Sequence, residues 1–544
     1  MRPKIFYKYR VIMENGENGG KKRFYWNILI FIGCILLIIS YFTTRCSNNR
    51  NELSVTNHKW DKLLLVLDQI EQNYVDTLNY KDIVEKILPG VMESLDPHSV
   101  YLPPVELEEA EESLEGNFSG IGIQFNVPND TAIVISVIPG GPSERAGLLS
   151  GDRIIKVDGK IVAGVKLNQD SLVKRLKGPQ GSNVTINVKR DNLAELVPFT
   201  IKRDKIPVKS IDVAFMINDT LGYVKLSKFT RTSYKEFVSA MEIIKAKGAK
   251  KLIFDIRDNT GGYLDQALLL SNEFLAKGNL IVYMQGTHRP RQDFFADGKG
   301  KWQDVKLYVL INENSASSSE ILAGAIQDND RGTIVGRRSY GKGLVQEPIY
   351  FTDKSGVRLT VARFYTPTGR CIQKPYSKDY QYDIYERYKH GEMTVADSIK
   401  RNDSLKFITP KGKTVYGGGG IIPDVFVPID TIGVTDFLVA VNKKSLQMKY
   451  SISLSDKYRA QLRNVKTFPQ LERLISTINL EKGFLAYAKE NGVVPKVGEW
   501  EKSRDVLLLQ IKGLFGRYSV LDDNAFYPYI LRVDNVIKKI EKEK

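Results

Sequence analysis

The pattern of apolar and polar positions changes several times along the 544-residue chain. Residues 24–44 contain no charged side chain, and this run is long enough to cross a bilayer as a helix. Lys21, Lys22 and Arg23 precede it, and positive charge on that side predicts that residues 1–23 stay in the cytoplasm. The sequence therefore predicts a single-pass anchor in a bacterial inner (cytoplasmic) membrane, with the remaining chain on the periplasmic, extracytoplasmic side.

The segment 55–115 has the periodicity of helices. Its apolar residues recur every three or four positions, with one interruption at the proline turn 95–102. His98 in that turn is expected to be a structural residue rather than a catalyst. The sequence predicts an N-terminal helical region over these residues.

The segment 116–205 has the shorter period of strands, broken by glycine turns. Gly120, Ile121 and Gly122 form a glycine loop at its start. The order of its motifs resembles a PDZ domain; the motifs are 118–125, 139–148 and 151–159. The resemblance implies that the amides of the loop bind the free carboxylate of a peptide, which adds as a strand to a sheet edge. The alternative is a small β-barrel with glycine turns.

Strands and helices alternate over residues 206–430, which predicts an α/β core. Residues 376–416 are polar and rich in tyrosine, and they predict a surface insertion in this core. Residues 431–544 are charged and predicted to be mostly helical, without a recognisable motif. Taken together, the chain is predicted to be a multidomain α+β protein.

Composition removes several functional classes. The formal net charge of +16 is dispersed, and no basic run is interleaved with aromatic residues, so no nucleic-acid binding is expected. The three cysteines, Cys34, Cys46 and Cys371, cannot form a disulfide framework. None of the four histidines has the spacing of a metal site or of a hydrolase motif, so no metal or cofactor is expected.

Several serines cluster where a predicted strand meets a predicted helix. Ser315 and residues 317–319 follow the apolar run 307–311 and precede a helical pattern of small residues. Ser317 and Glu320 fit a capping box, which is a structural role without chemistry. A serine at the start of a helix is also typical of a hydrolase nucleophile. The local pattern leaves both roles open.

A lysine between two glycines follows this cluster. Residues 336–342 match the first seven positions of a phosphate-binding P-loop, but Gly343 replaces the required Ser or Thr and a strand pattern follows. A nucleotide site is therefore rejected. Lys342 and Gln346 are four residues apart on this predicted strand and so share one face. Lys342 could act as a general base only if burial lowers its pKa enough to leave the amine neutral.

Five motifs in this order resemble the carboxy-terminal processing peptidases (tail-specific proteases, family S41). They are Leu95-Asp-Pro-His-Ser, Asp255-Ile-Arg-Asp-Asn-Thr-Gly-Gly, Ser315-Ala-Ser-Ser-Ser-Glu-Ile, Tyr340-Gly-Lys-Gly and Phe364-Tyr-Thr-Pro-Thr-Gly-Arg-Cys-Ile-Gln. The resemblance covers about residues 60–430 and implies a peptidase core of the crotonase or ClpP-like type. It also implies that Ser317 is the nucleophile of a Ser–Lys dyad.

The same resemblance implies a role for four neighbouring residues. Gln346 would hold the amine of Lys342, and the amide of Ser318 with one from Gly261 or Gly262 would form the oxyanion hole. Ser318 departs from the family pattern, which has alanine there, and Cys371 stands where serine is common. Ser318 therefore adds a second hydroxyl beside the expected nucleophile.

The function predicted from the sequence is a membrane-anchored serine endopeptidase that binds substrate C-termini. Its expected partners are proteins with a free C-terminus and the membrane, with a homo-oligomer or an adaptor left open. The alternative is a catalytically silent PDZ scaffold that binds protein tails.

Overall fold

The computed structural model describes Gly33 and residues 59–190, 193–377 and 379–543. The predicted anchor at 24–44 lies outside the described residues apart from Gly33, as do Cys34 and Cys46. Within the described part of the chain, no helix is long and apolar enough to cross a bilayer. The chain divides into two compact units, residues 1–84 and 85–544.

The predicted N-terminal helical region contains three helices and one strand: α1 (Asp61–Asn73), α2 (Tyr80–Glu93), β1 (Val100–Leu102) and α3 (Pro104–Glu115). The predicted interruption at 95–102 is present, and its last three residues form a strand that the sequence did not indicate. The turn before them ends α2, and β1 then pairs antiparallel with a strand of the α/β core. Asp96 fixes this turn, because its carboxylate accepts hydrogen bonds from the amides of His98 and Ser99.

Residues 117–207 form the expected small β-domain. It contains β2 (Asn117–Gly120), β3 (Ile123–Asn126), β4 (Ala132–Val137), α4 (Pro142–Ala146), β5 (Arg153–Val157), β6 (Lys160–Ile161), α5 (Gln169–Leu176), β7 (Asn183–Lys189), β8 (Val197–Lys202) and β9 (Asp204–Pro207). The main sheet has the order β3-β4-β5-β7-β8, so β3 is an edge strand. α5 packs its buried leucines, Leu172 and Leu176, into the core of this domain.

The α/β core contains sixteen elements. They are β10 (Ile211–Met216), β11 (Leu221–Leu226), α6 (Ser233–Ala246), β12 (Lys251–Asp255), α7 (Leu264–Asn272), β13 (Leu280–Gly286), β14 (Arg289–Phe295), β15 (Lys306–Ile311), α8 (Ser318–Asp328), β16 (Thr333–Gly336), β17 (Leu344–Tyr350), β18 (Gly356–Tyr365), α9 (Asp383–Lys389), β19 (Lys406–Ile408), β20 (Thr414–Tyr416) and β21 (Val425–Phe426).

The central sheet of this core has the order β10-β11-β12-β15-β16-β21 and is parallel except for β10. Its strands are almost continuously apolar, as expected for a sheet that is buried on both faces. The loops after β12, β15 and β16 leave the sheet at one edge, where parallel sheets usually bind their ligands. This edge carries the serine cluster and the lysine.

The insertion 376–416 is only partly on the surface. Tyr382, Tyr385 and Tyr388 are exposed, but Tyr380 and Arg387 are buried. The prediction of a surface insertion is therefore wrong for these two residues. Their partners lie in the loops next to the lysine, and nothing in the local sequence indicates such partners.

The C-terminal region is helical, as predicted, and it has its own core. It contains α10 (Asp436–Lys443), α11 (Leu446–Lys457), α12 (Arg459–Arg463), α13 (Phe468–Ser476), α14 (Leu480–Glu490), α15 (Glu499–Gly516), α16 (Asp523–Ile530) and α17 (Asn535–Glu541). α17 packs on the central sheet, where its side chains Val536, Ile537 and Ile540 contact a cluster that includes Tyr223 of β11 and Tyr308 of β15. The last helix therefore covers the sheet face that α6, α7 and α8 leave open.

Candidate active site

The hydrogen bonds of the serine cluster distinguish Ser317 from its neighbours. The hydroxyls of Ser315, Ser318 and Ser319 each donate to a backbone carbonyl at 2.8 Å, those of Ile256, Gly262 and Asn259 respectively. These three serines are buried, whereas Ser317 is half-buried. Of the four, only Ser317 donates its hydroxyl hydrogen to none of the described residues. The second hydroxyl, at Ser318, is therefore engaged in structure.

Ser317 has an unusual backbone conformation. Its φ of 56° and ψ of −114° place it in a region that residues with a side chain rarely adopt. It stands at a sharp turn between β15 and α8, and such strained strand-to-helix turns hold the nucleophile of many hydrolases. Gly261 lies against this turn, because a Cβ on Gly261 would come within 2.9 Å of Ser317 Cβ. A side chain at 261 would therefore displace the serine.

Glu320 joins the serine loop to the lysine loop. Its Oε2 accepts hydrogen bonds from the amides of Ser317 and Lys342, both at 2.9 Å. Its Oε1 accepts from the Gly341 amide at 2.7 Å and from the Ser339 hydroxyl at 2.5 Å. The amide nitrogens of Ser317 and Lys342 are thus within about 6 Å of each other. The Glu320 half of the predicted capping box is present, while the Glu320 amide donates to the Ser317 carbonyl at 2.8 Å, and the carboxylate also positions the lysine.

Lys342 donates a hydrogen bond from Nζ to Gln346 Oε1 at 2.8 Å. Burial lowers the pKa of Lys342, and the positive charge of Arg358 lowers it further, against the opposing charges of Glu320 and Asp96. Both effects favour the neutral amine, which is the form that can accept a proton. The predicted pairing of Lys342 with Gln346 is therefore present in the structure.

A ring of hydrogen bonds starts and ends beside Lys342. Gln346 Nε2 donates to the His98 carbonyl at 2.5 Å, and His98 Nε2 lies 2.6 Å from the Tyr380 hydroxyl. Gln373 Nε2 donates to that hydroxyl at 3.2 Å, and Gln373 Oε1 accepts from the amide of Gly343 at 2.9 Å. Because a carbonyl only accepts and an amide N–H only donates, the orientations of both glutamines are determined.

His98 is neutral in this ring. Burial is the largest of the effects that lower its pKa to about 4. In the tautomer with its hydrogen on Nδ1, the neutral ring accepts the Tyr380 hydroxyl hydrogen at Nε2, and the tyrosine oxygen accepts from Gln373. The sequence indicated a structural turn residue at 98 and gave no signal for Tyr380, whereas Gln373 is the last residue of the motif that begins at Phe364.

Two amides near Ser317 are without an acceptor among the described residues, those of Ser318 and Gly262. The amide of Ser318 is the first of α8, where N–H groups have no partner within the helix. The Gly261 amide, in contrast, donates to Asn259 Oδ1 at 2.9 Å. Of the two glycines predicted as alternatives for the oxyanion hole, only Gly262 therefore has a free donor.

The glycine loop of the β-domain has a similar property. The amides of Ile121 and Gly122 donate to no described acceptor, although Ile121 is 2% exposed. Buried amides without a partner are costly, and a bound anion would satisfy them. Gly122 has a φ of 75°, a conformation that favours glycine in such a loop. Gly120 precedes them at the end of β2.

Comparison with known proteins identifies both domains. The model of peptidase family S41 matches residues 220–384, and a PDZ domain model matches residues 119–201. A carboxy-terminal-processing protease of Bartonella bacilliformis is 33% identical over 411 residues, which cover 74% of this chain and 92% of that protein. The chain belongs to peptidase family S41. It is a serine peptidase with a PDZ domain, and the family resemblance stated from the motifs is confirmed.

Other relatives of this S41 peptidase span less of the chain. The carboxy-terminal processing protease CtpA of Bacillus subtilis is 31% identical over 350 residues, covering 64% of this chain and 74% of that protein. The structure of a photosystem II D1 C-terminal processing protease is 24% identical, covers 69% of this chain and 88% of its own, and superposes with a TM-score of 0.38. Residues 437–520 match a family of unknown function, DUF8443.

Proposed function

We propose that this S41 peptidase is a carboxy-terminal processing endopeptidase with a Ser317–Lys342 dyad. The observation that carries the proposal is the state of the two side chains. Ser317 has the one hydroxyl of the cluster that donates to no described acceptor, and Lys342 has a lowered pKa and a fixed partner. Glu320 holds the backbones of both residues together.

In the proposed reaction, neutral Lys342 takes the proton of the Ser317 hydroxyl as the oxygen attacks the peptide carbonyl. The amides of Ser318 and Gly262 stabilise the negative charge that develops on the carbonyl oxygen. The ammonium of Lys342 then gives its proton to the leaving amine, and the acyl-enzyme forms. Lys342 next accepts a proton from water as the water oxygen attacks the ester carbonyl. The resulting ammonium then returns this proton to the Ser317 oxygen as the ester bond breaks and the acid product leaves.

The PDZ domain would supply the substrate tail. The free amides of Ile121 and Gly122, with Gly120 beside them, are suited to a terminal carboxylate. The edge strand β3 directly follows this loop, so a peptide that is held there can extend the sheet. The substrate class that this arrangement favours is a protein or peptide with a free C-terminus.

The membrane anchor at 24–44 is part of the same proposal. The uncharged run and the positive charges before it support an anchor with the peptidase on the extracytoplasmic side. Labelling of an added cysteine on each side of this run, in intact cells and after lysis, tests the orientation. Labelling of the catalytic part in intact spheroplasts is expected, and protection of that part would contradict the proposal.

The dyad is tested with the full chain and a loosely folded substrate with an apolar tail. Ser317→Ala and Lys342→Ala should each lower kcat by at least about a thousandfold, because both groups take part in the attack. Ser318→Ala is the matched control and should keep most of the activity. A substrate whose tail is amidated should be cleaved slowly by the wild type, since it lacks the carboxylate.

Two results would change the assignment. Full cleavage by Ser317→Ala would place the nucleophile elsewhere. Binding of the tail without any cleavage by the wild type would support the silent scaffold.

A further inference from the structure

The inference concerns which substrate tails the PDZ domain selects, and it rests on the proposed tail binding. β3 pairs with β4, and the described residues leave its other edge open. A peptide that adds to this edge is a strand, so its side chains alternate between the two faces of the sheet. One set must face the PDZ core and α5, and the other set must face away from them.

The outward face of β3 looks toward the C-terminal helical region. Ile123 and Phe125 pack against the PDZ core, so Gln124 and Asn126 lie on the opposite face. On that face, the amide Nδ2 of Asn126 contacts the sulfur of Met448 in α11 at 3.3 Å. The outward-facing side chains of an added strand would therefore meet the helical region.

A cavity of about 340 Å³ lies at this junction. The PDZ domain contributes three successive residues of β3 to its wall, together with Ile135 of β4. Because Ile135 belongs to the strand that pairs with β3, the cavity lies over the outward face of these two strands, beside the line that an added strand would take. The helical region contributes Met448 of α11 and Leu514 of α15.

The cavity favours an uncharged occupant. Its uncharged wall combines apolar side chains with polar ones; the apolar ones are Phe125, Ile135, Met448 and Leu514, and the polar ones are Gln124, Asn126, Ser451 and Tyr518. The two charged residues that line it, Arg517 and Asp523, pair with each other at 2.5 Å. A charged side chain would therefore find no free partner of opposite charge there, whereas a large apolar side chain would bury its surface.

Ion pairs fix α11, which contributes Met448 to the cavity, against the PDZ domain. Asp456 in α11 pairs with Arg153 of β5 and accepts a hydrogen bond from Arg459 at 2.7 Å. The Arg459 guanidinium in turn donates to the Gly151 carbonyl at 3.3 Å. These contacts fix α11 against the strand layer next to the cavity, so its shape is defined before a tail binds.

We propose that this cavity is a specificity subsite for the substrate tail, formed jointly by the PDZ domain and the helical region. It takes alternate side chains of the tail, those on the outward face of the added strand, and selects large apolar ones. The helical region that matches a family of unknown function thus takes part in reading the substrate.

The test measures binding of labelled six-residue peptides to the full-length Ser317→Ala chain by fluorescence anisotropy. Leucine is replaced by glycine or by glutamate at each of the four positions before the last. At alternate positions the chain with the unchanged cavity should bind the leucine peptide with a Kd about tenfold lower than that of the glycine peptide. Met448→Lys should abolish that preference at the same positions and favour glutamate there. Val520→Lys, on an exposed residue of the same region, should leave both preferences unchanged.

The outcomes separate this inference from the proposed function. Peptides that need a free carboxylate but show no alternation, or an alternation that Met448→Lys leaves intact, would overturn the subsite alone. Equal binding of free and amidated peptides would overturn the tail-binding proposal and the subsite with it. If Met448→Lys loses all binding, Met448→Leu tests whether a damaged fold is the cause. Met448→Leu must keep the wild-type preference for leucine if the subsite exists.

Discussion

At the scale of single residues, the charge of Lys342 decides whether the proposed Ser317–Lys342 dyad can react. Only the neutral amine accepts a proton, so kcat/KM should rise with pH as Lys342 loses its own. Burial lowers its pKa first and Arg358 lowers it further. Arg358→Gln removes a positive neighbour, so the pKa should rise and the pH profile should move to higher pH. The measurement is kcat/KM across pH 5 to about 10.

Arg289→Gln is the matched control for Arg358→Gln. Arg289 is half exposed and pairs with Glu347, so its loss also removes one positive charge. Its profile should coincide with that of the wild type. Equal profiles for Arg358→Gln and the wild type would show that Arg358 does not act on the lysine.

Tyr380 is expected to position Lys342 through the hydrogen-bond ring. Tyr380→Phe removes the hydroxyl that joins His98 to Gln373 and keeps the packing of the aromatic side chain. The loss of a buried hydrogen bond is worth about 1 kcal/mol, so kcat should fall roughly five- to tenfold with little change in KM. Tyr382→Phe, on an exposed tyrosine of the same segment, should behave as the wild type. A change in KM with an unchanged kcat would contradict the positioning role.

At the scale of elements, α17 supports the motif that begins at Asp255. Arg257 binds Asp255 at 2.6 Å and Asp534, the N-cap of α17, at 2.8 Å. Asp534 also accepts from the amides of Val536 and Ile537. Asp534→Ala removes this partner and the cap together, and should destabilise the chain by about 2–3 kcal/mol.

The effect of Asp534→Ala is measured as the shift in the midpoint of thermal unfolding. Asp505→Ala, on an exposed residue within α15, is the control and should leave the midpoint nearly unchanged. An unchanged midpoint in Asp534→Ala would show that the ion pair with Asp255 alone is enough to hold Arg257 in place.

The local elements of the core were largely predictable, and their long-range partners were not. The strands Thr333–Gly336 and Leu344–Tyr350 follow directly from their apolar runs. The shared face of Lys342 and Gln346 follows from the period of a strand. His98 and Tyr380, however, are 282 residues apart in the chain, and no periodicity relates them. The sequence of the charged helices after 431 gave no sign that the last of them covers a face of the central sheet.

At the scale of the whole molecule, the groups of the proposed catalytic site come from several distant segments. The loops after β12, β15 and β16 meet because the strands are parallel and adjacent. The turn at 98 and the insertion at 380 then close around the lysine. Motif order can identify such a site through a family resemblance, but the geometry requires the complete fold.

The carboxylate of Glu320 has a consequence for the life of the enzyme. It receives the amides of Ser317 and Lys342 on one oxygen, so both backbones are held in the observed arrangement only where the two loops have folded together. A chain that is still being made, or that has partly unfolded, therefore lacks a working pair. Such a copy is expected to be harmless to itself and to its neighbours until folding is complete.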